Sequence, residues 1–267
     1  MEAYSLVISF VFGAIIGSFL NVLAIRFNTG VGVGGRSKCM SCGSTLTWKE
    51  LIPLASFIYQ KGACKKCRSK ISWQYPLVEF AAGAIFALIF VVFPPVTALA
   101  AISTLMYAFA TCLLLVMTVY DIKHKIIPDQ FSYVFIALSF VSLFIGGSSW
   151  LHVPSLSAIL AGPILALPFA LIWLISKGTW MGLGDSKLIL GIGWFLGMNR
   201  GANALILAFW IAAAISVAWM AAVRKSYKPR TEIPFGPYLI LGFYLVLLFN
   251  IQVMDMSMVK EIFMSYL

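Results

Sequence analysis

The sequence predicts an all-α polytopic membrane protein of about eight transmembrane helices, with a small cytoplasmic zinc-binding loop domain between helices 1 and 2. Three observations carry this. Of 267 residues, 61% are apolar, only 10% are charged, and long apolar runs recur everywhere outside one polar segment. The runs fall at roughly 4–25, 77–93, 97–120, 131–147, 157–176, 187–199, 202–222 and 236–251. The sixth is too short for a full crossing, which suits a tilted, partly sunken or re-entrant helix.

Charge orients these runs. With the N-terminus outside, the segments 27–75, 121–130, 177–186 and 223–235 face the cytoplasm. Seventeen of the nineteen Lys and Arg residues then lie inside, and only Arg200 and Lys260 lie outside, as the positive-inside rule requires. Losing one span would put the later basic loops on the wrong side. The same rule accounts for nearly all of the net charge of +10 without a nucleic-acid partner. The first run has no basic segment before it and reads as a retained span, not a cleaved signal. The chain divides into a first transmembrane helix (1–26), a four-cysteine module (27–75) and a membrane core (76–267).

In the polar segment, Cys39-Met40-Ser41-Cys42 and Cys64-Lys65-Lys66-Cys67 form two CxxC pairs separated by 21 residues. Two thiolates spaced this way can share one metal, and two such pairs complete a tetrahedral site. Gly43 and Gly62 relieve crowding at the turns beside them. Redox pairs or disulfides are the competing reading, and a reducing cytosol opposes them. With Cys39, Cys42, Cys64 and Cys67 all bound, zinc has no open position, so its role is structural. Cys112, inside an apolar run, reads as core packing.

Of nine acidic residues, four lie in or beside the spans: Glu79, Asp121, Asp129 and Asp185. Asp121 follows the third run, and Asp185 opens the sixth in Gly182-Leu183-Gly184-Asp185-Ser186-Lys187-Leu188. Both sit at the same membrane level. Two close carboxylates in a low dielectric share a proton, so one can activate water while the other polarises a carbonyl. Gly182 and Gly184 let backbone approach Asp185. The bland reading, an acid as helix cap or partner of a neighbouring Lys, suits Asp129, which is expected to cap the fourth span and secondarily to position the active loop. His124 reads as a solvated loop residue, and His152 has no role. Glu79, one turn into the second span, either pairs with Arg26 or a loop Lys or helps hold a substrate leader, a methyl-acceptor amine or a cofactor. No glycine-rich strand-turn-helix unit for a nucleotide cofactor is visible.

At these residues the chain resembles the type IV prepilin peptidases, bifunctional leader peptidases and N-methyltransferases of pilus and type II secretion systems. The resemblance runs through Gly17-Ser18-Phe19-Leu20-Asn21-Val22 with Arg26, the CxxC pairs, Ile52-Pro53-Leu54, Tyr75 to Glu79, Asp121 to Asp129, Gly182 to Leu188 and Pro234-Phe235-Gly236-Pro237. It implies that Asp121 and Asp185 are the dyad of an intramembrane aspartic protease, supported by Gly182, Gly184, Asp129, Lys187, Pro234 and Gly236. It implies prepilin and pseudopilin substrates, cut after the glycine ending a short basic leader. It further implies methylation of the new N-terminus from S-adenosylmethionine, with Glu79, Gly17, Asn21 and Arg26 as methylation or substrate-binding residues. A bacterial inner-membrane location follows, with active site and zinc loop facing the cytoplasm.

Met40 stands where the family usually has Pro, Leu51 where Asn is frequent, and Phe27-Asn28 where Leu-Pro is usual. All lie in the region associated with methylation, yet all four cysteines are kept, which favours both activities. Two rivals predict other features. A transporter would carry acids at mid-span, and a noncatalytic zinc-bearing scaffold for pilins would leave the glycine-flanked acids without a purpose.

Overall fold

In the computed structural model, residues 2–30, 32, 34–145, 152–222 and 234–254 are described. The basic run at 224–230, Lys260 and the acids at 232, 255 and 261 lie outside them. Eight α-helices form among the described residues: α1 (Glu2–Arg26), α2 (Ala55–Tyr59), α3 (Gln74–Val92), α4 (Ala98–His124), α5 (Asp129–Ser142), α6 (Leu156–Ser176), α7 (Leu183–Ala222) and α8 (Gly236–Phe249). No strand forms among the described residues, only two isolated antiparallel bridges, Lys38 with Thr45 and Ala63 with Lys70. The protein is an all-helical polytopic membrane protein.

Five helices, α1, α3, α4, α6 and α7, are long and apolar enough to cross a membrane. The others need a different account. With 14 residues each, α5 and α8 rise only about 21 Å, short of the hydrocarbon thickness. The sixth and seventh expected runs form one element, α7, interrupted at Gly197, where φ of 77° and ψ of 179° leave the helical region. That break lies inside the expected sixth run, so two helical segments, 183–196 and 198–222, replace the expected boundary after 199. The third expected run ends too early: α4 continues to His124, so Asp121 lies within its last turn and a half. His124 is therefore helical, its ring 4.4 Å from that of Tyr120.

The chain forms two compact units, Met1–Val119 and Tyr120–Leu267. In the first, α1 packs closely on α3 because small residues face each other. A Cβ on Gly17 would stand 2.8 Å from that of Ala82, and one on Gly13 would stand 2.6 Å from Phe86. Buried Asn21 pins the contact: its amide donates to the carbonyls of Gly17 and Tyr75 (3.3 Å each), and its oxygen accepts from Gln74 (3.2 Å). Asn21 and Gly17, expected among the methylation residues, are thus engaged in helix packing.

In the second unit, α7 is the hub for α5, α6 and α8. Phe135 of α5 is fully buried, stacks on Phe195 and meets Phe243 edge to face. Gly193 meets Gly162 of α6 backbone to backbone. Pro163 removes the N–H that would bind the Ile159 carbonyl one turn back, and the indole of Trp194 donates there instead at 2.8 Å. Asn203, wholly buried, accepts from the N–H groups of Val253 and Met254. Arg200 donates to the Val246 and Leu247 carbonyls at the end of α8, a site where the helix dipole favours a cation.

Candidate active site and metal centre

Three segments of the second unit converge on two carboxylates. Asp121 enters from the end of α4 and is 4% exposed. After it the chain reverses at Lys125, in left-handed conformation (φ 56°) and bonded to the Asp121 carbonyl at 2.7 Å. That turn directs Ile127 inward, where it is buried. Asp185 sits in the first turn of α7 and is half-buried. The two carboxylates lie within Coulombic range of each other.

Glycines create this convergence by close approach. A Cβ on Gly184 would sit 2.9 Å from the Cβ of Ile127, and one on Gly236 would sit 2.7 Å from Asp121 Oδ2 and 3.1 Å from Ile127 Cδ1. Ile127 is therefore a wedge between two glycines, its Cβ crowding Gly184 while Gly236 is crowded first by Asp121. The N–H of Gly236, at the start of α8, donates to Asp121 Oδ2 at 3.1 Å, fixing a buried carboxylate with one charge-assisted bond. Gly182 differs: its Cβ would find only the Asp185 carboxylate at 3.8 Å and the Gly184 nitrogen at 3.9 Å. The space beside Asp185 is open. Gly182 thus has room around it beside the carboxylate, whereas Gly184 is crowded by Ile127.

Two supports take other forms than the sequence suggested. Asp129 does not cap α5: the capping position is Pro128, with no side-chain cap. Instead Asp129 accepts from Lys187 Nζ at 2.7 Å, and the same ammonium donates to the Tyr133 hydroxyl at 3.1 Å and lies 4.7 Å from that ring. Asp129 and Lys187 so tie the loop after Asp121 to the first turn of α7. The second support was missed: the Ser186 hydroxyl donates to the Ala166 carbonyl at 3.2 Å, hooking the residue after Asp185 to α6. A Ser directly after a membrane-edge acid, at the head of an apolar run, was the available signal. Pro234 lies just before α8, half-buried.

Glu79 belongs to the first unit and is buried in α3. It does not pair with Arg26, which donates to the Gly32 and Gly34 carbonyls. Its carboxylate accepts the Leu54 N–H at 2.8 Å. A partner supplied by strained backbone, Leu54 at φ 60°, could not be read from charge.

The four cysteines converge as their spacing required. Their sulfurs all lie within 4.8 Å of one another, and Cys39 Sγ stands 3.9 Å from Cys67 Sγ. A tetrahedron with metal–sulfur bonds of about 2.3 Å has edges of about 3.8 Å, so the donor set fits a metal ion. No disulfide forms among them. The two knuckles are built alike. The N–H of Cys39 bonds the Ser44 carbonyl and the N–H of Cys64 bonds that of Ser69, both at 2.9 Å. The fifth residue of each is left-handed, Gly43 at φ 69° and Arg68 at φ 58°. Gly62 ends α2 instead, its N–H on the Phe57 carbonyl. Backbone N–H groups of Cys42 and then Ser41, with the Ser69 hydroxyl, hold the Cys39 thiol down to about 6. Such a sulfur is poised as a thiolate ligand.

Residues 11–93 match the bacterial peptidase A24 N-terminal domain, and residues 108–217 match the type IV leader peptidase family. The chain is 32% identical over 252 residues to the prepilin leader peptidase/N-methyltransferase of Bacillus subtilis (strain 168), covering 91% of this chain and 94% of that one. It is 29% identical to the protein of the same name in Burkholderia pseudomallei (strain 1026b), covering 89% and 83%. It is 27% identical to a type 4 prepilin-like proteins leader peptide-processing enzyme of Escherichia coli O78:H11 (strain H10407 / ETEC), covering 88% and 91%. No solved structure matches the chain.

Proposed function

The chain belongs to the prepilin leader peptidase/N-methyltransferase family, and on that premise we propose that Asp121 and Asp185 are the proteolytic pair with which it cuts prepilins. The protein is a protease that removes the prepilin leader and a methyltransferase that modifies the new N-terminus. One observation carries the assignment of the pair: Asp121 is held by the Gly236 N–H while Asp185, across the Ile127 wedge, faces the open space at Gly182.

In the mechanism, one carboxylate is ionised and one protonated, a state that mutual repulsion favours. The ionised group takes a proton from water as the water oxygen attacks the scissile carbonyl carbon. The protonated group donates to the carbonyl oxygen. As the tetrahedral gem-diol collapses, the C–N bond breaks, the group that took the water proton gives it to the leaving amine, and the other takes back a proton from a diol hydroxyl as the carbonyl re-forms, restoring the pair. The Lys187–Asp129 ion pair and the Ser186 hook hold the two loops in register through these steps.

The remaining assignments rest on sequence. Eight crossings, three of them by helices shorter than the hydrocarbon thickness (α5, the first part of α7 and α8), place the active loops and the four-cysteine module (27–75) on the cytoplasmic side, with 76–267 as the peptidase core. The metal is zinc, which four thiolates in a closed tetrahedron select, and it folds the module. S-adenosylmethionine supplies the methyl group, with Glu79, Gly17, Asn21 and Arg26 beside that step. The substrates are prepilins and pseudopilins with a basic leader and a membrane helix.

The test uses purified protein in detergent with a prepilin. Asp121→Asn and Asp185→Asn are each expected to leave the leader attached by gel shift and mass, while still methylating a synthetic mature pilin N-terminus. Complete leader removal by either variant sinks the pair. Cys→Ser at all four positions is expected to abolish bound zinc, and unchanged zinc content rejects that site.

A further inference from the structure

Residues 27–75 read as one cytoplasmic loop, but ten consecutive residues in it, Leu51 to Gln60, carry no charge and are mostly apolar. Glu50 and Lys61 bracket them. Their side chains are not gathered into a core: Leu51 and Ile52 are exposed, and Ile58 and Tyr59 are 75% and 78% exposed. A soluble loop would hide such residues. Here they sit beside helices that span a bilayer.

Depth can be read from hydrogen bonds. Leu54 donates its N–H to Glu79, and the Glu79 Cα lies 3.0 Å from where a Cβ on Gly17 would stand. Gly17 is nine residues before Arg26, the last residue of α1, or about 13 Å along the axis. Glu79 is five residues into α3, or about 8 Å. Leu54 therefore lies beside the first turns of α3 and below the end of α1. Beside it, a groove of about 590 Å³ runs along the outward face of α1, lined by Val11, Ile15, Phe19 and, opposite, Leu51, Ile52 and Pro53.

We propose that Leu51–Tyr59 is a re-entrant segment inserted into the bilayer, and that a phospholipid acyl chain fills the groove between it and α1. Irregular backbone at that depth needs its polar groups paired within the protein, and four N–H groups of the segment have such partners. Ala55, Ser56 and Ile58 donate to the carbonyls of Pro53, Ile52 and Leu54. Leu54, which precedes the short helix and has no such acceptor, is served by Glu79. The buried carboxylate is thus the positioning group that lets the segment enter. Lys49 over the Trp48 ring and Lys65 over that of Tyr59 suit the interface, where a long cationic side chain reaches the headgroups.

The experiment uses the full-length protein in nanodiscs containing a phospholipid with a diazirine on its acyl chain. Photolabelling mapped by mass spectrometry is expected in the 51–60 peptide as well as in α1, and absent from the cysteine knuckles. Labelling confined to the long helices, with none in 51–60, overturns the proposal. A second readout is power-saturation EPR with a nitroxide amino acid introduced by amber suppression at Ile52 or Ile58, with Met40 as the aqueous reference. Oxygen is expected to relax the first two more than a water-soluble nickel chelate does, and the reverse at Met40. Nickel exceeding oxygen at Ile52 and Ile58 also overturns it. Glu79→Gln, which keeps an acceptor, is expected to retain the acyl-chain labelling, whereas Glu79→Leu loses it; equal labelling in both removes Glu79 from the account.

Discussion

The cysteine module and the aspartate site are held in shape by opposite means. The module is two short knuckles whose sulfurs close on a shared point within one stretch of loop. The aspartate site has no such centre: α4, α7 and α8 bring their ends together because Gly184 and Gly236 leave room for Ile127. One region depends on a ligand set and the other on the absence of side chains. The lesson is that they should fail separately, the first to chelation and the second to added volume.

The largest expected break in that separation comes from one methyl group. Gly236→Ala forces a Cβ to 2.7 Å from Asp121 Oδ2, so the carboxylate must move. A displacement near 1 Å at a reacting group lowers rates by about 100-fold, and leader cleavage should fall by that order with zinc content unchanged. Gly182→Ala, whose Cβ meets nothing closer than 3.8 Å, sharpens the point: its folding should be normal, and any loss should appear as weaker substrate binding in KM. Chelation of the module is the converse experiment. Removing zinc should abolish methylation of a pre-cleaved product while leader cleavage by the same sample changes by only a few-fold, measured side by side by mass.

Smaller effects test the periphery. Lys187→Ala breaks an ion pair whose Asp129 partner is largely exposed, so the stability change should be within about 1 kcal/mol, read as a small shift in thermal unfolding. In the metal-free module, Cys39 gives up its proton near pH 6 instead of 9. A lowered thiol pKa favours the folded knuckle fully above pH 9, and the benefit is lost as pH falls through 6. Alkylation of Cys39 by iodoacetamide should accordingly reach half its maximal rate near pH 6, and a midpoint near 9 would mean that the knuckle does not form without metal.

The same contrast governs what the sequence made legible. Spacing alone located the four thiolates, because a knuckle closes within six residues and needs no distant partner. Asp121 and Asp185 were picked out by their place at membrane edges and the glycines beside one of them. Their supports were not legible in the same way. Gly236 binds a carboxylate 115 residues away, the Ile127 wedge is an ordinary apolar residue until two glycines meet it, and Ser186 finds its acceptor on another helix. Asp129 misled because an acid after Pro at a helix start fits a cap, whereas Lys187, 58 residues on, offered a charge. Helix α5 and helix α8 were read as spans from hydropathy, but they end at Ser142 and Phe249, before their apolar runs do, which leaves each at 14 residues.

The central claim is that Asp121 and Asp185 act as one unit, and single-turnover leader cleavage by Asp121→Asn, Asp185→Asn and the double variant tests it most directly. Groups that work together are not additive, so each single variant should lose nearly as much rate as the double, with all three at the same residual level. Losses that multiply in the double variant, or near-normal cleavage by either single one, would contradict it.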